Sequence, residues 1–137
     1  MTPYGNFLPF LRESNLIEGI TSEPGWDEAL AFAVFYREPI SFSSVVEYQK
    51  TLAPGFGLRL EVEEVLREIL NAIGLTAVDP YQTHCEFMAL CPFNAGNGRT
   101  SRALWARHTR GLGRDPFIRP FLHTFYYQAL AAADGRK

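Results

Sequence analysis

The sequence predicts an all-α fold, and three observations carry that prediction. Apolar residues recur with a helical period: Val62, Val65, Leu66, Ile69, Leu70 and Ile73 fall at i, i+3, i+4, i+7, i+8 and i+11. Glycine and proline punctuate the chain at positions suited to helix ends, including Gly19, Pro39, Pro54-Gly55 and Asp79-Pro80. Only residues 54–60, PGFGLRL, invite another reading, and they form a loop or at most one short extended piece.

Each element then follows in order. Residues 3–19 begin irregularly and give one short helix, about 8–19, through Phe10, Leu11, Leu16 and Ile17, with Gly19 as the residue that closes it. Trp26 to Arg37 is apolar almost all round, with Asp27 and Glu28 in the first turn, where negative charge suits the helix dipole. A helix without a polar face is expected at the centre of the fold. Pro39 ends it, and Ser41 caps a helix running to about Leu52. The Val62–Ile73 helix stops at Gly74, and Asp79-Pro80 supplies an N-cap and an N1 proline for a helix to about Leu90. After the loop CPFNAGNGR a helix runs from Thr100 to about Arg110, and a last one from about Pro120 or Leu122 to Ala133. The total is about seven helices. Trp26, Trp105, Phe121, Phe125, Tyr126 and Tyr127 are expected to pack the core.

Composition bounds the function. The 137 residues, 47% hydrophobic and 20% charged, read as a single domain over 1–137 and exclude a disordered or collagen-like chain. No apolar run approaches the ~20 residues of a membrane span, so no membrane partner is expected. A net charge of −2 lacks the basic footprint of a nucleic-acid binder. Arg107, Arg110, Arg114 and Arg119 read as a solvated face. Cys85 and Cys91 are too few for a disulfide scaffold, and Met1 to Arg12 has neither the charged nor the apolar region of a secretory leader. The expected compartment is cytoplasmic. His108 and His123 have no Cys, His or acidic partners at metal-ligand spacing.

The chemistry lies in Cys91-Pro92-Phe93-Asn94-Ala95-Gly96-Asn97-Gly98-Arg99-Thr100-Ser101-Arg102. Gly96 and Gly98 allow positive φ and close approach of a ligand to the backbone. Successive N–H groups there and the following helix N-terminus favour an anion. Arg99 and Arg102 rise on one side of that helix, where their guanidinium forks suit phosphate oxygens. Asn97 is an uncharged donor inside the turn. Cys91 reads either as a nucleophile activated by this anion-binding surround or as a small half-buried residue.

This segment resembles the signature of the Fic (Fido-domain) family, H-x-F-x-[D/E]-G-N-G-R-x-x-R. The likeness is close over residues 79–133 and looser before them in helix order, and His84 stands where many Fic proteins carry a histidine on the preceding helix. The resemblance implies an all-α core and transfer of AMP from ATP to a hydroxyl of a target protein. It assigns nucleotide-phosphate binding to Asn94, Gly96, Asn97, Gly98, Arg99 and Arg102. It also marks two departures: Cys91 stands in place of the catalytic histidine, and Ala95 in place of the acidic residue that would hold Mg²⁺.

A thiol with a free pKa near ~8.5 is a poor general base beside an imidazole near ~6.5. Losing the base costs ~10²–10⁴-fold in rate, and losing the carboxylate weakens the metal clamp. The residues therefore point to an impaired transferase or a pseudoenzyme that binds ATP or a related nucleotide without a metal ligand at Ala95. Two alternatives stand beside it: a non-catalytic partner of an active Fic protein, and a transferase with altered chemistry at Cys91. Ser14 to Gly19, SNLIEG, resembles the [S/T]-x-x-x-E-[G/N] inhibitory helix that precedes some Fic cores. By that resemblance Ser14 and Glu18 are regulatory and Glu18 meets Arg102. The β-hairpin flap usual in the family, where a target adds as a strand, is cut down to Pro54–Leu60.

Overall fold

A computed structural model describes residues 7–75 and 78–118, and over these the protein is all-α. The helices are α1 (Phe7–Ile17), α2 (Trp26–Arg37), α3 (Phe42–Leu52), α4 (Glu63–Leu75), α5 (Pro80–Leu90) and α6 (Asn97–Gly111), with a 3-10 turn at Leu60–Val62 before α4. The expected final helix, with Phe121, Phe125, Tyr126 and Tyr127, lies outside the described residues, as does Arg119.

Local chemistry explains several helix ends. Ser41 and Ser44 form a reciprocal capping box at α3, each hydroxyl accepting from the other's backbone N–H at 3.0 Å. Asp79 accepts from Gln82 N at 3.2 Å, with Pro80 at the first helical position of α5. At the end of α1, Ile20 N donates back to Asn15 O at 2.9 Å. Gly74 does not end α4, which continues through Leu75. An exposed helix tolerates glycine at a cost of only about 1 kcal/mol.

The central helix is α6, not α2. Helix α6 packs against α1, α2, α3 and α5 and buries Gly98, Thr100 to Ala106, His108 and Thr109. Helix α2 buries Ala29, Phe32, Ala33 and Phe35, while Trp26 is 67% exposed and Leu30 and Val34 also face out. Small side chains decide this: Thr100, Ser101, Ala103 and Ala106 let neighbouring helices approach α6 closely, whereas the bulky ring of α2 residues cannot be covered on every side. Trp105 is buried as expected; Trp26 is not. An aromatic cluster of Phe7, Phe10, Phe32, Tyr36 and Phe117 fastens α1 to α2, with Phe7 meeting Phe32 edge-on at 5.0 Å. Arg107 and Arg110 do not simply face solvent. They donate to Glu38 O at 2.7 Å and Tyr36 O at 3.1 Å, satisfying carbonyls at the end of α2.

No paired strand occurs among the described residues, but 57–59 runs antiparallel to the loop after α5. Leu58 bridges Phe93, Arg59 N donates to Pro92 O at 2.8 Å, and Asn94 N donates to Gly57 O at 3.0 Å. This short segment thus has the loop between α5 and α6 as its hydrogen-bonding partner. No helix among the described residues is long and apolar enough to cross a membrane.

Candidate anion-binding site

The loop between α5 and α6 is built from its own backbone outward. Cys91 ends α5 in the left-handed region, φ 52°, and Arg59 caps that end by donating to Leu90 O at 3.1 Å and Cys91 O at 2.8 Å. Phe93 is buried as the loop's anchor. Asn97 folds back on it: Oδ1 accepts from Phe93 N at 2.9 Å and Nδ2 donates to Phe93 O at 2.7 Å. The same Nδ2 lies 3.2 Å from the exposed Cys91 Sγ. Asn97 is therefore the clasp of the loop, its amide spent on protein groups. Gln49 on α3 holds the other side, donating to Phe56 O at 2.6 Å and Ala95 O at 3.0 Å.

These bonds start α6 at Asn97, three residues before the expected Thr100. Gly96 alone takes positive φ, 78°, whereas Gly98 is helical. Gly98 is needed for a different reason. A Cβ there would stand 2.6 Å from Glu18 Oε2 and 3.2 Å from Arg102 Nη1. The Glu18 carboxylate thus lies against the first turn of α6, where unpaired N–H groups and the positive dipole end favour an anion.

Both arginines are engaged. Arg102, 5% exposed, donates from Nη2 to Glu18 Oε2 at 2.7 Å and to Ser14 O at 3.0 Å, and from Nε to Ser14 Oγ at 2.7 Å. Burial presses its pKa down, and the bond with Glu18 is the largest opposing influence. Arg99 lies one turn earlier, donating to Leu52 O at 3.0 Å and to Asn15 Oδ1 at 3.4 Å, with Glu28 Oε1 at 3.6 Å. Asn15 in turn donates to Glu28 Oε2 at 3.3 Å. Helix α1 thereby supplies Ser14 and Asn15, and the turn just after it Glu18, to the two arginines.

The contact that the resemblance implied between Glu18 and Arg102 is present, and Ser14 of the same motif joins it, a contact the sequence did not announce. Asn15, Glu28 and Gln49 were not foreseen either. Glu28 reads in sequence as a first-turn dipole carboxylate, and neither Asn15 nor Gln49 belongs to a motif that could have flagged it. Asn94 is exposed beside the loop, with its backbone N–H given to Gly57. His84 turns away from Cys91: its Nδ1 pairs with Ser101 Oγ in the interior. Burial, opposed by the bond with Ser101, lowers its pKa to about 4, which keeps the ring neutral at pH 7.

The resemblance read from the sequence implies Mg²⁺ and a nucleotide phosphate as ligands of this loop. Ala95 offers a methyl group where a Mg²⁺-binding carboxylate would stand, and its carbonyl already accepts from Gln49, so the loop does not fit that metal. A phosphate does fit the site's chemistry, provided it replaces the Glu18 carboxylate on Arg102. No family model matches this chain, and neither a curated protein nor a solved structure matches it.

Proposed function

We propose that this protein is a Fic-like nucleotide-phosphate-binding protein whose cradle is held shut by α1 and whose catalytic centre is impaired. One observation carries the reading: the Glu18 carboxylate, bonded to Arg102 at 2.7 Å, lies against Gly98 at the start of α6. An internal anion held by a buried arginine at a helix N-terminus marks a place whose charge and shape suit an external one. A phosphate arriving there exchanges one anionic partner of Arg102 for another, so the guanidinium never loses its compensation.

The chain's own residues account for weak chemistry. Cys91 Sγ accepts from Asn97 Nδ2 and stands on the exposed rim of the loop, with His84 committed elsewhere. Among the described residues no imidazole is offered to take a proton from a target hydroxyl at this rim, and Ala95 adds no carboxylate to hold a metal against developing phosphate charge. Binding without efficient transfer is the outcome these groups support.

The test is a thermal-shift titration with ATP on wild type, Glu18→Gly and Glu18→Gly/Arg102→Ala. Wild type should shift little, Glu18→Gly by several degrees, and the double variant not at all. A flat response in Glu18→Gly would reject nucleotide binding and leave an interaction module. Labelled-ATP transfer that depends on Cys91 would overturn the impaired-catalyst part while keeping the cradle.

A further inference from the structure

Arg99 is also matched to a carboxylate, and that carboxylate belongs to a different helix. The side chains of Arg99 and Glu28 are 17% and 15% exposed, and the pair sits at 3.6 Å, within charge range but longer than a hydrogen bond. Among the described residues Glu28 Oε1 has no hydrogen-bond partner, while Oε2 receives the 3.3 Å contact from Asn15. A buried carboxylate oxygen left unbonded beside a guanidinium is a weakly made contact, poorly placed to resist a competing anion.

We infer that Glu28 is a second carboxylate gate, closing Arg99 as Glu18 closes Arg102, and that the ligand must be a polyphosphate able to displace both. The inference rests on the cradle reading and deepens it. Two guanidinium groups face two carboxylates in the closed state, so the cluster is neutral. One phosphate group can replace Glu18 on Arg102, but it leaves Arg99 compensated by Glu28. A neighbouring phosphate on the same ligand is needed to take the second position.

The two gates differ in what carries them. Glu18 stands just past Ile17, beyond the last turn of α1, and its side chain, 41% exposed, has solvent to swing into. Glu28 stands within α2 with its side chain 15% exposed, so it has no such outlet. Asn15 is the link between them, touching Arg99 with Oδ1 and Glu28 with Nδ2. Displacement of the Glu18 side chain therefore frees Arg102 of its carboxylate and leaves the Arg99–Glu28 pair in place. Substituting Glu18 alone opens half of the cradle.

Calorimetric titration with Mg²⁺-free ATP tests this on the full chain carrying Glu18→Gly, Glu18→Gly/Glu28→Gln, or that pair with Arg99→Ala. Glu28→Gln keeps the shape and the Asn15 contact while removing the charge. Glu28→Ala is carried in parallel, so that a folding defect in one variant does not decide the result. The second substitution should tighten ATP binding about tenfold over Glu18→Gly, the return on one freed charge-assisted contact, and Arg99→Ala should erase that gain. AMP should gain far less than ATP. Equal affinities with and without Glu28→Gln would overturn the second gate and leave the cradle standing. No ATP binding by any variant would remove the cradle reading, and the gate with it.

Discussion

Glu18 occupies the space that a side chain on Gly98 would need. A Cβ built on Gly98 lies 2.6 Å from Glu18 Oε2, closer than atoms approach, and Glu18 is held there by its 2.7 Å bond to Arg102. The absence of one methyl group in α6 and the placing of one carboxylate after α1 are a single structural fact.

Gly98→Ala and Glu18→Gly should therefore be strongly coupled. Alanine favours a helix interior by about 1 kcal/mol over glycine, but in wild type its methyl must push Glu18 off Arg102. Gly98→Ala is expected to destabilise the wild type and to be neutral or stabilising in the Glu18→Gly background. The coupling should be about 1–2 kcal/mol. Urea unfolding of the four members of this cycle measures it, and additive effects would contradict the close contact.

Cys91 keeps a left-handed backbone, φ 52°, without being glycine. That conformation costs an ordinary residue about 1 kcal/mol. Cys91→Gly should raise stability by an amount of that order, less what is lost with the Asn97 contact to Sγ. Cys91→Val, branched at Cβ, should lower it. Thermal melts of the two variants against wild type read the difference directly, and a destabilised glycine variant would show that the thiol's own contacts outweigh the backbone strain.

Gln49 joins α3 to both sides of the loop. It is 1% exposed and donates to Phe56 O and Ala95 O. Gln49→Ala leaves two carbonyls without this donor and opens a cavity, so a loss of about 2–3 kcal/mol is expected. Limited proteolysis should then cut within 53–60 before anywhere else among the described residues. Unchanged stability and an unchanged cleavage pattern would show that the loop stands without Gln49.

Acid should loosen the fold through His84. Its pKa falls to about 4 in the folded protein, chiefly by burial, against an ordinary value of 6.5. The unfolded chain therefore binds more protons between those limits, and stability is full above about pH 6.5 and lost progressively toward pH 4. The contribution is on the order of 3 kcal/mol. His108 is shifted down in the same direction, again mainly by burial, with Asp79 and a bond to Val78 opposing. Denaturant midpoints for wild type and His84→Gln across this range provide the check: the variant should show a clearly shallower decline. A parallel decline would assign the acid sensitivity to other groups.

Much of this protein was legible along the chain. The ends of α3 and α5 follow from Ser41 and Asp79-Pro80, and α4 from its apolar spacing, because caps and i to i+4 contacts involve near neighbours in sequence. The meeting of Glu18 with Arg102, 84 residues apart, was expected only through the resemblance of two short motifs, and the bond from Arg102 to Ser14, 88 apart, had no signal in the sequence.

What tertiary structure alone decided was burial. Helix α6 carries several charged and polar residues, yet it lies at the centre, with Asn15, Glu18, Glu28 and the Leu52 carbonyl meeting Arg99 and Arg102. Helix α2 has the more apolar sequence and leaves Trp26, Leu30 and Val34 outside. The same packing turned Glu28 from a helix-dipole residue into the neighbour of Arg99, and made Gly98 a point of close approach rather than a turn. Periodicity reports which face of a helix is apolar, but a buried charge is stable only where a distant segment supplies its counter-charge. That pairing exists only after the helices have met.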